Sequence, residues 1–175
     1  GFVATVLLIL LYFGGALSAT ALFALTIVFN IVSWLVSPFI QDLVLKWFYA
    51  CEVVEWPAFE ERWPSLAKSM EMTCAKHKVP IPKMRIIDDG NPTAYTFGSG
   101  PWNARLVATR GLFHYLDENE VTAVYHHELG HIVNRDFIVM TIAATLLTLL
   151  YELYAVLTTK GKGGSVLKDK LFWLG

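Results

Sequence analysis

The first 41 residues contain no Asp, Glu, Lys, Arg or His, and a soluble core cannot hide an uninterrupted apolar run of that length. As one straight helix it would extend about 60 Å, twice the ~30 Å hydrocarbon thickness of a bilayer, so two spans are the simpler solution. Gly14-Gly15 supplies the hairpin. It leaves a short first span, Phe2 to Phe13, and a full second span, Ala19 to Ile40. The shortness of the first span, and a chain that begins at Gly1, predict that residues upstream are missing. A secretory signal peptide fits less well, because no basic segment precedes the run and the second stretch is too long for a signal core. Phe137 to Thr159 is a further apolar stretch of 23 residues interrupted only by Glu152. It is about 35 Å long if helical, enough to cross a bilayer. A composition that is 55% hydrophobic and 17% charged agrees with a membrane protein.

Between these runs lies an ordinary polar domain, residues 42–136. Trp47, Phe48 and Tyr49 cluster where a helix should leave the bilayer, a position aromatic rings favour. Trp56-Pro57 predicts a break. Ala58 to His77 then reads as one amphipathic helix with Phe59, Trp63, Leu66, Met70 and Cys74 on its buried stripe. His77, between Lys76 and Lys78, reads as solvated. Met84 to Ile87 predicts a strand, and Thr93 to Phe97 with Leu106 to Thr109 predict a β-hairpin joined by Gly98-Ser99-Gly100-Pro101-Trp102-Asn103. Gly111 to Leu116 reads as a short helix. Residues 160–175 read as a basic loop followed by the start of another apolar element. The expected fold is therefore an α+β membrane protein, mainly α. It has an N-terminal transmembrane hairpin over residues 1–41, a small domain over 42–136, and a further transmembrane helix over 137–159.

The chemistry concentrates in His127-Glu128-Leu129-Gly130-His131. On a helix this spacing sets two imidazoles on one face with a carboxylate beside them, which is zinc-hydrolase geometry. Neutral imidazoles suit a borderline-soft cation, and Glu128 is placed to take a proton from a metal-bound water. A chance match in a chain of this length is expected at roughly one per cent. Asp117 with Glu120 three residues on forms a capping box, a start signal for this helix. Val121, Tyr125, Leu129 and Ile132 make its packing stripe, so Val124, His127, Glu128 and His131 should line a cleft. A catalytic zinc needs three protein ligands. Glu152 lies ~30 Å along an unbroken helix from His131, out of reach, and an intramembrane acid there fits a structural contact with a neighbouring helix. Asp136 would sit about 140° around that helix, better placed to cap the next span or support His131 from behind. Cys51 and Cys74 show no paired spacing and read as reduced thiols. A net charge of −1 without a basic stripe excludes nucleic acid as the expected partner.

His127 to Asp136, preceded by Leu106-Val107-Ala108-Thr109-Arg110-Gly111-Leu112 and Ala94-Tyr95-Thr96-Phe97-Gly98, resembles the HtpX-type integral-membrane zinc metalloproteases. Relatives of that group include the CAAX prenyl proteases. The resemblance implies a zincin-like domain of the gluzincin class with one Zn2+ per full-length chain. His127 and His131 would be ligands, Glu128 the general base, and a Glu beyond Gly175 the third ligand, so the 175 residues alone would be inactive. By the same analogy Ala94, Tyr95, Thr96 and Phe97 form either an edge strand that pairs with substrate or an ordinary hairpin strand, and Thr93 stands where the family commonly has Asn. Asn134 and Asp136 would support the ligands.

The function implied is a membrane-bound metalloendopeptidase in membrane protein quality control, with the lipid bilayer and misfolded polypeptides as partners. The alternatives are a protease with a dedicated substrate such as a prenylated C-terminus, or a non-catalytic scaffold. Charge leaves orientation open. The polar domain holds ten basic and thirteen acidic residues, whereas the loop after Thr159 holds four Lys and one Asp, and a positive-inside count favours that loop as cytoplasmic. The resemblance instead implies a plasma or inner membrane protein with its catalytic domain facing the cytoplasm.

Overall fold

A computed structural model describes the backbone of residues 2–160 and the side chains of residues 7–158. The basic loop and apolar segment expected over 161–175 lie outside the described residues. The elements run α1 (Phe2–Phe13), α2 (Ala19–Phe48), β1 (Cys51–Val54), α3 (Trp56–Arg62), α4 (Pro64–His77), β2 (Lys83–Ile87), β3 (Ala94–Phe97), a 3-10 turn (Pro101–Asn103), β4 (Arg105–Thr109), α5 (Arg110–Tyr115), α6 (Glu118–Asn134) and α7 (Asp136–Lys160). They divide into two units, one of Gly1–Ser33 with Thr141–Gly175, the other of Trp34–Met140.

The first unit is built inside-out relative to a soluble protein. Leu25, Val28, Ile31 and Val32 of α2 and Leu146, Leu147, Leu150 and Leu157 of α7 are exposed, while Thr26 and Glu152 are buried. In a bilayer the exposed set faces lipid, and the polar pair must satisfy itself internally. Thr26 Oγ1 donates to Glu152 Oε1 at 2.5 Å, while among the described residues Glu152 Oε2 has no partner. The helix α2 and the Asp136–Thr158 stretch are both long and apolar enough to cross a bilayer. The first helix has the predicted bounds and turns at Gly15, whose φ of +76° is the left-handed conformation glycine tolerates best.

The second unit is a four-stranded mixed sheet in the order β1-β2-β4-β3, with β2 parallel to β4 and the other pairs antiparallel. Its two faces follow from strand alternation. Met84, Ile86, Leu106 and Ala108 point into a core completed by Phe59, Leu66, Met70, Leu112, Val121 and Tyr125. The opposite face, Ile87, Val107 and Phe97, packs on Leu45 of α2. Stacked or tilted rings link Trp56, Phe59, Trp63, Phe113 and Tyr125 at centroid distances of 4.5–6.1 Å. Fully burying one such side chain contributes about 1.5–3 kcal/mol.

Two sequence expectations are corrected. The helix expected over Ala58–His77 is two helices, because Pro64 has no N–H for a continuous ladder and serves instead as the first residue of α4. The expected break at Trp56-Pro57 is the start of α3, with Pro57 in its first turn. The helix that carries the span expected over Ala19–Ile40 runs on to Phe48, within the aromatic cluster expected at its exit from the bilayer, and beyond the span its Asp42 meets the sheet. The strand β1 carried no clear alternation signal and was not expected at all.

Candidate metal centre

The helix α6 is started and stopped by its own side chains. Asp117 accepts from the N–H groups of Asn119 and Glu120 at 2.8 and 2.9 Å, and Glu120 Oε2 accepts from Asp117 N at 2.9 Å. Together these close the capping box that the sequence announces. At the other end Arg135 adopts φ 60°, ψ 37°, and its N–H reaches back to the carbonyls of His131 and Ile132. Val121, Tyr125, Leu129 and Ile132 are all buried, which rolls His127 and His131 outward.

The two Nε2 atoms lie 3.3 Å apart. Ligands about 2.0–2.1 Å from a tetrahedral zinc are separated by about 3.3–3.4 Å, so this spacing fits one shared ion. A carboxylate oxygen of Glu128 and a ring nitrogen of each histidine all lie within 4.8 Å of one another. Glu128 is buried, His131 half-buried and His127 exposed. His131 Nδ1 is 2.5 Å from Asp136 Oδ2, which assigns its proton to Nδ1 and leaves the Nε2 lone pair for a metal. The bonded Asp136 carboxylate also holds the His131 pKa above its ordinary value, with the Glu128 and Asp136 charges adding and slight burial opposing. The donor chemistry therefore fits zinc. Among the described residues this trio is the group of ligand side chains close enough to share an ion.

Asp136 reaches His131 because the chain does not continue helically between them. The left-handed Arg135 ends α6 and starts α7 with Asp136 in its first turn, so the ~140° offset of an unbroken helix does not apply. Asn134 is exposed, and the described contacts do not tie it to either histidine. Glu152 is committed to Thr26 within the other unit.

Ala94–Phe97 is an edge strand. It pairs with β4 on one side, and among the described residues no strand takes the other. The helix α6 packs against it. Ala94 and Thr96 belong to the sheet face on the α6 side, whereas Tyr95 and the buried Phe97 face α2. A cleft of about 590 Å³ lined by Leu45, Tyr49, Ile87, Tyr95 and Thr109 lies on that α2 face, away from the histidines. Burial pushes the Tyr95 phenol pKa up, with Cys51 and Tyr49 adding.

Two contributors escaped the sequence reading. His126 Nε2 lies 2.7 Å from Ser69 Oγ and its Nδ1 3.4 Å from Thr73 Oγ1, which ties α6 to α4 one residue before the metal group. Its adjacency to His127 was the visible signal, with Ser69 and Thr73 on one face of α4. Asp42 joins Arg85 and Arg105 beneath the sheet, and no local pattern pairs residues so far apart.

The sequence profile of peptidase family M48 matches residues 60–169. A protease HtpX homologue of Pyrococcus abyssi is 34% identical over 133 residues, covering 76% of this chain and 43% of that protein. One of Aquifex aeolicus is 35% identical over 140 residues, covering 79% and 44%. The chain thus spans less than half the length of these relatives. The crystal structure of S. mikatae Ste24p superposes with a TM-score of 0.58 at 24% identity, over 76% of this chain and 30% of that one, a likeness of fold.

Proposed function

The chain belongs to peptidase family M48, and on that premise we propose that the protein is an HtpX-like, membrane-bound zinc metalloendopeptidase. The observation that carries this reading is the 3.3 Å approach of the His127 and His131 Nε2 atoms beside the Glu128 carboxylate. A zinc ion held there would supply Lewis acidity, polarising the scissile carbonyl and acidifying water. His127 and His131 would hold the ion, and Asp136 keeps His131 in the required tautomer by accepting from Nδ1–H. Glu128 takes the proton from the attacking water and returns it to the amine nitrogen as the peptide C–N bond breaks. The free edge of β3 pairs with the extended substrate backbone and presents the peptide to α6.

The third ligand in this reading is a Glu beyond Gly175, so the 175 residues alone bind zinc weakly through two histidines and do not turn over. Tight one-to-one zinc binding by these residues would contradict that part. The assignment of 42–136 as the catalytic domain, its cytoplasmic face, and damaged membrane proteins as substrates belong to the same proposal and rest on resemblance to HtpX. The test is Glu128→Gln in the full-length protein. It should keep its zinc and lose about 10²–10⁴-fold in peptide cleavage; cleavage at the parent rate would refute the assigned base.

A further inference from the structure

We propose that the turn between β3 and β4, Gly98 to Asn103, is inserted into the lipid bilayer beside α2, with Trp102 as its lipid-facing side chain. The partner is the acyl-chain side of the headgroup boundary.

The argument starts at Pro38, the one proline within α2. Proline has no N–H, so the carbonyl four residues earlier, Trp34 O, loses its helical donor. In an apolar span such an orphan costs several kcal/mol unless another group reaches it. Ser99 Oγ donates to Trp34 O at 2.9 Å, and Ser37 Oγ approaches the same oxygen at 3.3 Å. Ser99 is itself buried. The tip of the hairpin therefore repairs a break in a membrane helix.

Depth follows from the same contact. Asp42 is the first charged residue of the chain, and Trp34 lies eight residues before it, or about 12 Å along the helix axis. The turn consequently lies about 12 Å nearer the apolar end of α2 than the Asp42 carboxylate. Around it the exposed residues of α2 are Leu35, Val36, Phe39 and Ile40. The turn itself has no charged residue.

Asn103 and Gly100 spend polar groups on bonds within the polar unit. Asn103 N donates to Gly100 O at 2.9 Å, and Arg105 Nη1 donates to Asn103 O at 2.6 Å and also to Asn103 Oδ1. The Trp102 indole is exposed, meets the Trp34 ring edge-on at 6.3 Å, and lies so close over Gly100 that a Cβ there would come within 2.2 Å of it. An exposed indole beside a lipid-facing helix is the side chain expected at a bilayer boundary. If β3 pairs with substrate, as proposed above, its edge runs from the aqueous domain toward the bilayer, and the peptide on it is a segment leaving the membrane. That consequence rests on the protease reading; the insertion does not.

The test uses the full-length protein in phosphatidylcholine vesicles carrying brominated acyl chains. In a Cys51→Ala, Cys74→Ala background, a fluorophore on Trp102→Cys should be quenched by the bromolipid within about twofold of one on Val36→Cys, which faces lipid. Aqueous iodide should quench it several-fold less than one on Tyr115→Cys, which is exposed on the polar domain. Iodide quenching equal to the Tyr115 site, without bromolipid quenching, would overturn the insertion. Because cysteine could disturb the turn, intrinsic fluorescence is compared as well. Trp102→Phe should remove part of the bromolipid-quenched emission, and an unchanged quenched fraction would also overturn it. No readout depends on proteolysis, so active enzyme with a water-exposed turn refutes this inference alone.

Discussion

Asp42→Ala should be among the most damaging single substitutions in the polar unit, although Asp42 is far from the histidines in sequence. Asp42 Oδ1 accepts from Arg85 Nε and Nη2 at 3.3 and 3.1 Å, and Oδ2 accepts from Arg105 Nε and Nη2 at 3.0 and 2.8 Å. The Arg105 side chain is 1% exposed, Arg85 11% and Asp42 22%. The Arg105 guanidinium also lies over the Phe39 and Phe97 rings at 5.2 and 5.9 Å, and among the described residues Asp42 is the acid paired with it. Removing the carboxylate strands a buried charge, which costs about 3–5 kcal/mol. The partly exposed Arg85 arm adds at most about 1 kcal/mol, because solvent screens it. For a unit of roughly 100 residues, a loss near 3 kcal/mol lowers the Tm by about 10–20 °C. The assay is thermal or urea unfolding in detergent micelles, followed by tryptophan fluorescence. The decisive comparison is Asp42→Leu with Arg105→Met, which removes the buried charge together with its partner and should be milder than Asp42→Ala alone. A single-mutant loss below about 1 kcal/mol, the size of a surface pair, would refute the claim that this triad is a buried junction.

Further outcomes follow from the metal group and the membrane unit. Asp136→Asn should weaken zinc binding about 10–100-fold in the full-length protein, measured by competition with a chelator. In the metal-free protein the same substitution should lower the His131 pKa by NMR titration, because the carboxylate raises it. The raised pKa means that protonated His131 stabilises the metal-free fold below the unfolded value of about 6.5, and this contribution is lost as pH rises through the folded pKa. Ser69→Ala should cost about 1 kcal/mol, seen as a Tm decrease of a few degrees, by removing the bond that ties α4 to His126. Glu152→Gln should leave folding and zinc content intact, because an amide can still accept from Thr26; stoichiometric zinc loss from a folded variant would make Glu152 a ligand after all.

What was legible in the sequence was whatever a local period or a cap encodes. The bounds of α1, the capped start of α6, the hairpin and the face of α6 that carries the histidines all follow from spacing within about twenty residues. Long-range pairing was not legible. That Asp42 would lie between two strand arginines, or that β2 and β4 would pair in parallel with β3 outside them, depends on contacts between segments 22 to 63 residues apart that no local period records. Even inside the motif, the ideal helix misplaced Asp136, because a single left-handed residue decides where its carboxylate points.

Pro38 shows how the two kinds of information join. In the sequence it is an interruption in an apolar run, and by itself it predicts only a kink. In the fold, the carbonyl it frees is met by Ser99, in a turn whose loop character was plain but whose partner was not. Four residues along α2 from Pro38, Asp42 bridges the strands on either side of the sheet's parallel ladder. A membrane helix defect and a half-buried carboxylate thus fix α2 to the sheet at two levels, one apolar and one charged. The position of β3, and with it the edge beside the metal helix, is set by α2 rather than by strand pairing alone. Ser99→Ala should therefore disturb more than a surface turn: it leaves Trp34 O with only the longer Ser37 contact. Loosening of β3 should appear as faster amide exchange at Tyr95 and Phe97 with the β1–β2 ladder unchanged. Equal exchange in parent and variant would show that strand pairing holds the edge without help from the membrane helix.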